Sequence, residues 1–279
     1  MRLRSLLFVP GDQPSLMAKA LRTEADALIL DLEDSVATHA KPAAREAVAR
    51  FLSAPRETDK AIFVRINPVD GPLAADDLAI ILPARPDGLV LPKAEGLASL
   101  DALAALGVAD IPVLPITTET PAAIFRLGDY AGARLPLAGL TWGAEDLPAA
   151  IGATTARQAD GGYTAPYQLA RSLTLFGAHA AGVAAIETVY PDFSDADGLA
   201  DYAARGRRDG FTGMMAIHPR QVPVINAAFT PTPEEVIRAQ AIVDLFAANP
   251  GAGVLQLDGK MLDAPHLKAA QRLLARAAP

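Results

Sequence analysis

The residues able to do chemistry in this chain gather in short clusters, and each cluster closes or follows an apolar run. They are Asp31-Leu32-Glu33-Asp34, Arg65-Ile66-Asn67, Pro92-Lys93-Ala94-Glu95, Thr118-Glu119-Thr120, Gly143-Ala144-Glu145-Asp146 and His218-Pro219. Glu119 and Asp146 stand one strand–helix unit apart. On neighbouring strands, about 4.8 Å apart, both carboxylates can reach one ion. Oxygen ligands alone point to Mg2+ or Mn2+, and Mg2+ commonly takes one or two carboxylates and leaves its other positions to water or substrate. Two solvated carboxylates are the plain alternative. Arg65 ends the run Ala61-Ile62-Phe63-Val64 and cannot shed its charge. Its partner is either Asp31 or Glu33 on an adjacent strand, or a substrate carboxylate held in a fork. Both can hold at once, with the acids orienting the guanidinium whose outer edge meets substrate.

Composition removes several rivals. There is no cysteine, hence no disulfide, thiol nucleophile or Cys/His zinc site. His39, His179, His218 and His266 are isolated from one another. His218 either touches substrate or fixes the turn before Pro219. Lys93 lies just past Pro92, turned outward or toward a nearby acid, which does not favour Schiff-base chemistry. The chain has no G-x-S-x-G, no P-loop and no complete G-x-G-x-x-G. With 25 basic and 32 acidic residues, the net charge of −7 argues against nucleic acid or an anionic membrane as partner. No apolar run approaches the ~18 residues of a membrane span. The apolar stretch Leu6–Val9 stops at Pro10-Gly11, too short for a signal segment, so a cytoplasmic protein is expected.

The elements that must position these residues are legible. Short, continuous apolar runs occur at Ser5–Val9, Ala27–Leu32, Ala61–Ile66, Gly88–Leu91, Pro112–Thr117, Gly139–Gly143, Val183–Val189 and Met214–Ile217. Runs of this kind suit parallel strands buried on both faces. Between them, Pro14–Glu24, Lys41–Leu52, Leu97–Leu106, Pro166–Ala180, Ala196–Arg208 and Pro219–Phe229 have helical spacing. The alternation predicts a (β/α)8 TIM barrel over residues 1–230. An open doubly wound sheet uses the same units, but eight of them without a glycine-rich first turn favour the barrel. Residues 231–279 are then a C-terminal helical extension, with helices at Pro233–Ala248 and Pro265–Ala278 joined through the turn-rich Asn249–Gly253. Barrel active sites lie at the carboxyl ends of the strands, where the ionisable clusters fall.

Several segments together carry a family resemblance: Leu7-Phe8-Val9-Pro10-Gly11, Leu30-Asp31-Leu32-Glu33-Asp34-Ser35-Val36, Val64-Arg65-Ile66-Asn67, Leu91-Pro92-Lys93-Ala94-Glu95, Glu119-Thr120-Pro121, Trp142-Gly143-Ala144-Glu145-Asp146-Leu147 and Ala216-Ile217-His218-Pro219. In order and spacing the chain resembles the citrate lyase β-like branch of the HpcH/HpaI aldolase superfamily, over nearly its whole length. The resemblance implies a barrel assembled as a homotrimer or hexamer. It implies a lyase that cleaves citryl-, citramalyl- or malyl-thioesters into a keto acid and an acetyl thioester. It implies Mg2+ held by Glu119 and Asp146, and Arg65 on the keto-acid carboxylate with Asp31 and Glu33 behind it. Phe8, Gly143 and Ala144 are expected to line the substrate site. Lys19 remains on the first helix, where CoA-binding relatives often carry several lysines, so CoA and a protein-borne acyl carrier both stay open. Asp263, in Gly259-Lys260-Met261-Leu262-Asp263-Ala264-Pro265, matches an aspartate that reaches a neighbouring subunit's site for proton transfer. Asp263 before Ala264-Pro265 also reads as a helix N-cap. A malyl-thioester thioesterase, a malate-synthase-like enzyme and a non-catalytic subunit of a larger lyase complex are the rival readings.

Overall fold

The computed structural model describes every residue except Glu57, Asp160, Ala278 and Pro279. Eight strands run β1 (Ser5–Pro10), β2 (Ala27–Asp31), β3 (Ala61–Arg65), β4 (Gly88–Leu91), β5 (Val113–Pro115), β6 (Gly139–Thr141), β7 (Ala184–Glu187) and β8 (Gly213–Ala216). They pair in parallel in the order β5-β4-β3-β2-β1-β8-β7-β6. The two ends of that row meet through the parallel bridges Val113↔Leu137 and Ile116↔Thr141. The sheet thus curls into a (β/α)8 barrel, as the run spacing predicts.

Side-chain alternation turns this sheet into a site. Leu6, Ala27, Ile29, Ala61, Phe63, Val90, Leu114, Ile116, Ile186 and Met215 form one buried cluster. Residues two apart on a strand share a face. The row Ala27, Ile29 therefore continues to Asp31, and Ala61, Phe63 continues to Arg65. The β2–β3 register sets Asp31 directly beside Arg65. Apolar packing thus delivers an acid and a base side by side where the barrel opens.

The longer helices lie close to their predicted places: Lys41–Ser53, Leu97–Ala105, Ala165–Ala181, Ala196–Asp209 and Gln221–Phe229. The first ends at Ala20 rather than Glu24, where Thr23 Oγ1 donates to the Ala20 carbonyl at 2.7 Å. A helix at Ala74–Ile81 was not anticipated. Its apolar periodicity is broken by Asp77, which is fully buried against Arg45, with Asp77 Oδ1 2.6 Å from Arg45 Nε.

A second compact unit begins at Phe229. Its helix Pro233–Ala248 opens on a capping box, with Thr232 and Glu235 satisfying each other's backbone amides. Between the turn-rich Asn249–Gly253 and the last helix, where no strand was expected, runs an antiparallel hairpin, β9 (Val254–Leu257) and β10 (Lys260–Asp263). Asp258 and Gly259 turn it with φ of 52° and 75°, as an Asp-Gly primed turn requires. Helix Ala264–Ala277 follows, so the predicted end at Ala278 lies outside the described residues. Leu262, Ala239, Ile242 and Ala270 form this unit's small core. Among the described residues no helix is long and apolar enough to cross a membrane.

Candidate active site

Arg65 is held by two acids. Its Nε donates to Asp31 Oδ1 at 2.6 Å and its Nη2 to Asp31 Oδ2 at 2.7 Å, a bidentate pair along one edge of the guanidinium. Nη1 lies 2.8 Å from Glu33 Oε2. The guanidinium carbon sits 4.9 Å from the centroid of the Phe8 ring, which supports the cation on its π face. Asp31 is itself fixed, accepting from the amides of Glu33 and Ser35 at 2.9 and 3.1 Å. Burial raises the Asp31 carboxyl, but the Arg65 hydrogen bonds and charge outweigh it and leave it below its ordinary value. For Glu33 burial wins over the Arg65 and Lys93 cations, and its carboxyl stands above the ordinary value. Burial opposes the charge of Arg65, yet Asp31 and Glu33 more than offset it and drive its pKa upward.

Lys93 joins this cluster to the predicted ligands. Its Nζ donates to Glu33 Oε1 at 2.7 Å and lies 3.5 Å from Asp146 Oδ1. Its backbone adopts φ of 50°, which lets its amide donate to Glu119 Oε2 at 2.6 Å. Glu119 follows β5, buried to 4 % exposure, while Asp146 opens the helix Asp146–Ile151 and stays partly open. Burial pushes the Glu119 carboxyl up to about 8; the Lys93 amide opposes this, and the charges of Asp146 and Glu33 add to it. Gly143 packs on Glu119, and a Cβ there would come within 2.7 Å of Glu119 Cγ.

A divalent cation fits this centre. Burial is the main cause that raises the Glu119 carboxyl, and a cation beside it would offset the cost of its charge. The bare Cα of Gly143 leaves room beside its carboxylate. Among the described residues no three carboxylate or imidazole side chains converge into a cage. Two carboxylates with open positions suit Mg2+, which keeps several positions for water or substrate.

Other expected residues fall differently. The Gly143 amide donates to Thr118 Oγ1 at 3.1 Å, so it is not a free donor toward a substrate, and Gly143 contributes space instead. Ala144 is buried beside it. Lys19 is exposed on the helix Pro14–Ala20. His218 Nδ1 accepts the Arg220 amide at 3.1 Å, the turn-fixing arrangement, and its ring stacks on Phe193. In the second unit, Asp263 Oδ1 accepts the His266 amide at 3.4 Å and lies 2.5 Å from His266 Nδ1. Asp263 therefore has cap geometry at the start of its helix, and hydrogen bonding to His266 holds its carboxyl below the ordinary value.

Behind the site lies a buried polar layer in which only Asn67 belongs to a motif singled out in the sequence. Lys41 Nζ donates to the carbonyls of Leu32 and Glu33 at 2.7 Å each and to Asn67 Oδ1 at 2.8 Å. Asn67 Nδ2 and its backbone amide both donate to Asp77 Oδ2 at 2.7 Å. The available signal was a lysine and an arginine, Lys41 and Arg45, on the inner face of an otherwise amphipathic helix.

A closed parallel barrel with ionisable side chains gathered at its strand ends has the layout of a barrel enzyme. The chain belongs to the HpcH/HpaI aldolase/citrate lyase family, whose model matches residues 4–219. It is 36 % identical to a citrate lyase subunit beta-like protein of Mycobacterium tuberculosis over 97 % of this chain and 94 % of that protein. It is 33 % identical to a (3S)-malyl-CoA thioesterase of Cereibacter sphaeroides over 98 % and 94 %. Among solved structures, that of CitE from Mycobacterium tuberculosis in complex with magnesium, acetoacetate and coenzyme A superposes with a TM-score of 0.83 at 33 % identity, covering 99 % of this chain and 98 % of that one.

Proposed function

We propose that this protein is a Mg2+-dependent carbon–carbon lyase that cleaves a 3-hydroxy-acid thioester into a keto acid and an acetyl thioester. Citryl-, citramalyl- and malyl-thioesters, on CoA or an acyl carrier, are the substrate class. The observation that carries the reading is the continuous charge chain Arg65–Glu33–Lys93–Asp146, with Glu119 under the Lys93 amide. It sets an anion receiver beside a cation receiver. The relative solved with magnesium, acetoacetate and coenzyme A supports the same pairing of ligands.

Glu119 and Asp146 would hold Mg2+. When bound, the ion supplies a Lewis acid that withdraws electron density from the hydroxyl and carboxylate of the hydroxy acid. Asp31 takes the Nε–Nη2 edge of Arg65 and Glu33 faces Nη1, so a substrate carboxylate would take the N–H groups that remain on Nη1 and Nη2. The amides of Ala144 and Glu145 can donate to that carboxylate. So held, the bond to be broken lies against the thioester π-system. The hydroxyl gives up its proton to solvent water, the carbon–carbon bond breaks, and its electron pair passes to the thioester as an enolate. The enolate then takes a proton at its α carbon. Asp263, contributed by a second copy in a trimer or hexamer, is the proposed donor. A cytoplasmic location belongs to the same reading.

Thioester hydrolysis is the second reading, favoured by the 33 % identity to a malyl-CoA thioesterase. One assay separates them. Citryl-, citramalyl- and malyl-CoA are incubated with and without Mg2+, and keto acid and free thiol are both measured. A lyase releases keto acid without thiol; a thioesterase releases thiol without keto acid. If neither appears with any of the three, the catalytic reading fails.

A further inference from the structure

Glu187 is a fully buried carboxylate that the reaction above does not use. The β6–β7 register pairs Thr141 with Ile186, so the next residues, Trp142 and Glu187, lie side by side. Trp142 Nε1 donates to Glu187 Oε1 at 2.5 Å. The same oxygen accepts Tyr202 Oη at 2.9 Å and the Thr188 amide at 3.1 Å. The other oxygen accepts Arg171 Nε at 2.7 Å. Both carboxylate oxygens are therefore committed, one of them to an arginine that is also anchored on Asp209 at 2.8 Å. Trp142 has 0 % exposure and its ring is met edge-on by Tyr163 at 5.1 Å. One peptide further on stands Gly143, packed on Glu119, and three residues beyond it stands Asp146.

We infer that Glu187 is a positioning residue: by holding the Trp142 indole it fixes the segment Gly143–Asp146 that brings the second carboxylate to the ion site. The inference rests on the proposed metal site for its function but not for its geometry. The carboxylate is needed because it offers an acceptor on both sides. A glutamine has one oxygen; turned to Arg171, it faces the indole N–H with a donor and releases Trp142.

The test uses Glu187→Gln and, as a variant that removes the same bond from the other side, Trp142→Phe. Hydrogen exchange is followed by mass spectrometry on the full chain without metal. Amides of residues 142–147 are expected to exchange at least about tenfold faster in both variants, while the β2 peptide keeps its wild-type rate. A residue that merely stabilises the fold would speed all core amides together. Unchanged exchange at 142–147, or uniform acceleration, overturns the inference. If Glu187→Gln does not fold, Trp142→Phe decides alone. Calorimetric titration with Mg2+ is the second readout, with Kd expected to rise about tenfold, the lower end for a residue supporting a ligand. If the wild type does not bind Mg2+, the metal reading falls while the exchange data still decide the positioning role.

Discussion

The backbone amide of Lys93 donates to Glu119 Oε2 at 2.6 Å, and the left-handed φ of Lys93 aims it there. The same residue sends its ammonium the other way, to Glu33 and Asp146. Lys93 therefore sets a positive charge beside Asp146, one of the two proposed ion ligands. Lys93→Met keeps the amide and removes the ammonium. Mg2+ should then bind more tightly, by about tenfold, since a competing charge a few ångströms away is worth over 1 kcal/mol even when partly screened. Titration calorimetry reads this; weaker Mg2+ binding would show that the ammonium orients Asp146 rather than competing for it.

Gly143→Ala places a Cβ 2.7 Å from Glu119 Cγ. The carboxylate must move while the backbone, in an ordinary conformation, need not. Mg2+ affinity should fall by about 10–100-fold, as when a metal ligand loses its support. Circular dichroism should remain that of the folded chain. Unchanged affinity would place the ion away from Glu119.

The raised Glu119 carboxyl has a consequence for pH. The folded protein holds this proton up to about 8, whereas the unfolded chain releases it near 4.5. The stabilisation from this group is full below about 4.5 and is lost as pH rises through 8. Without metal, the melting temperature of the wild type relative to Glu119→Gln should fall between pH 5 and 8.5. Mg2+ should reverse the fall, because ion binding expels the proton and compensates the charge. A flat difference curve would mean that Glu119 is ionised throughout.

Asp263 has two roles that one pair of variants separates. Asparagine caps helices as well as aspartate does but cannot donate a carboxyl proton. Asp263→Asn should keep the melting temperature and lose turnover at least 100-fold, within the range expected for a lost general acid. Asp263→Ala should lower both. Full turnover in the asparagine variant would leave Asp263 as a cap to the helix beginning at Ala264.

Much of this architecture is legible in the sequence because buried parallel strands advertise themselves. Ala27–Asp31 and Ala61–Arg65 are apolar until their last residue, and that last residue is the one that faces the site. Asp31 and Arg65 could be placed from this pattern alone, whereas Glu119 lies past the end of β5. The pattern fails where function is carried by backbone or by buried polar contacts. Nothing in Pro92-Lys93-Ala94 announces a left-handed lysine. Lys41, Asn67 and Asp77 are ordinary polar residues until the fold brings them together from separate segments. Gly143 reads as a residue lining the substrate site, and only the contact of its amide with Thr118 shows that it offers space there rather than a donor. The hairpin around Asp258-Gly259 was not predicted, because its strands are four residues each and largely exposed, without an apolar run to mark them.

The seam of the barrel lies between β5 and β6, its two shortest strands. At the mouth it is laced by threonine side chains as well as by backbone. Thr117 Oγ1 donates to the Thr141 carbonyl at 2.9 Å, and Thr118 Oγ1 to the Gly143 carbonyl at 2.9 Å. The two proposed ion ligands stand on opposite lips of this seam. An ion gripped by both would act as the clasp of the ring.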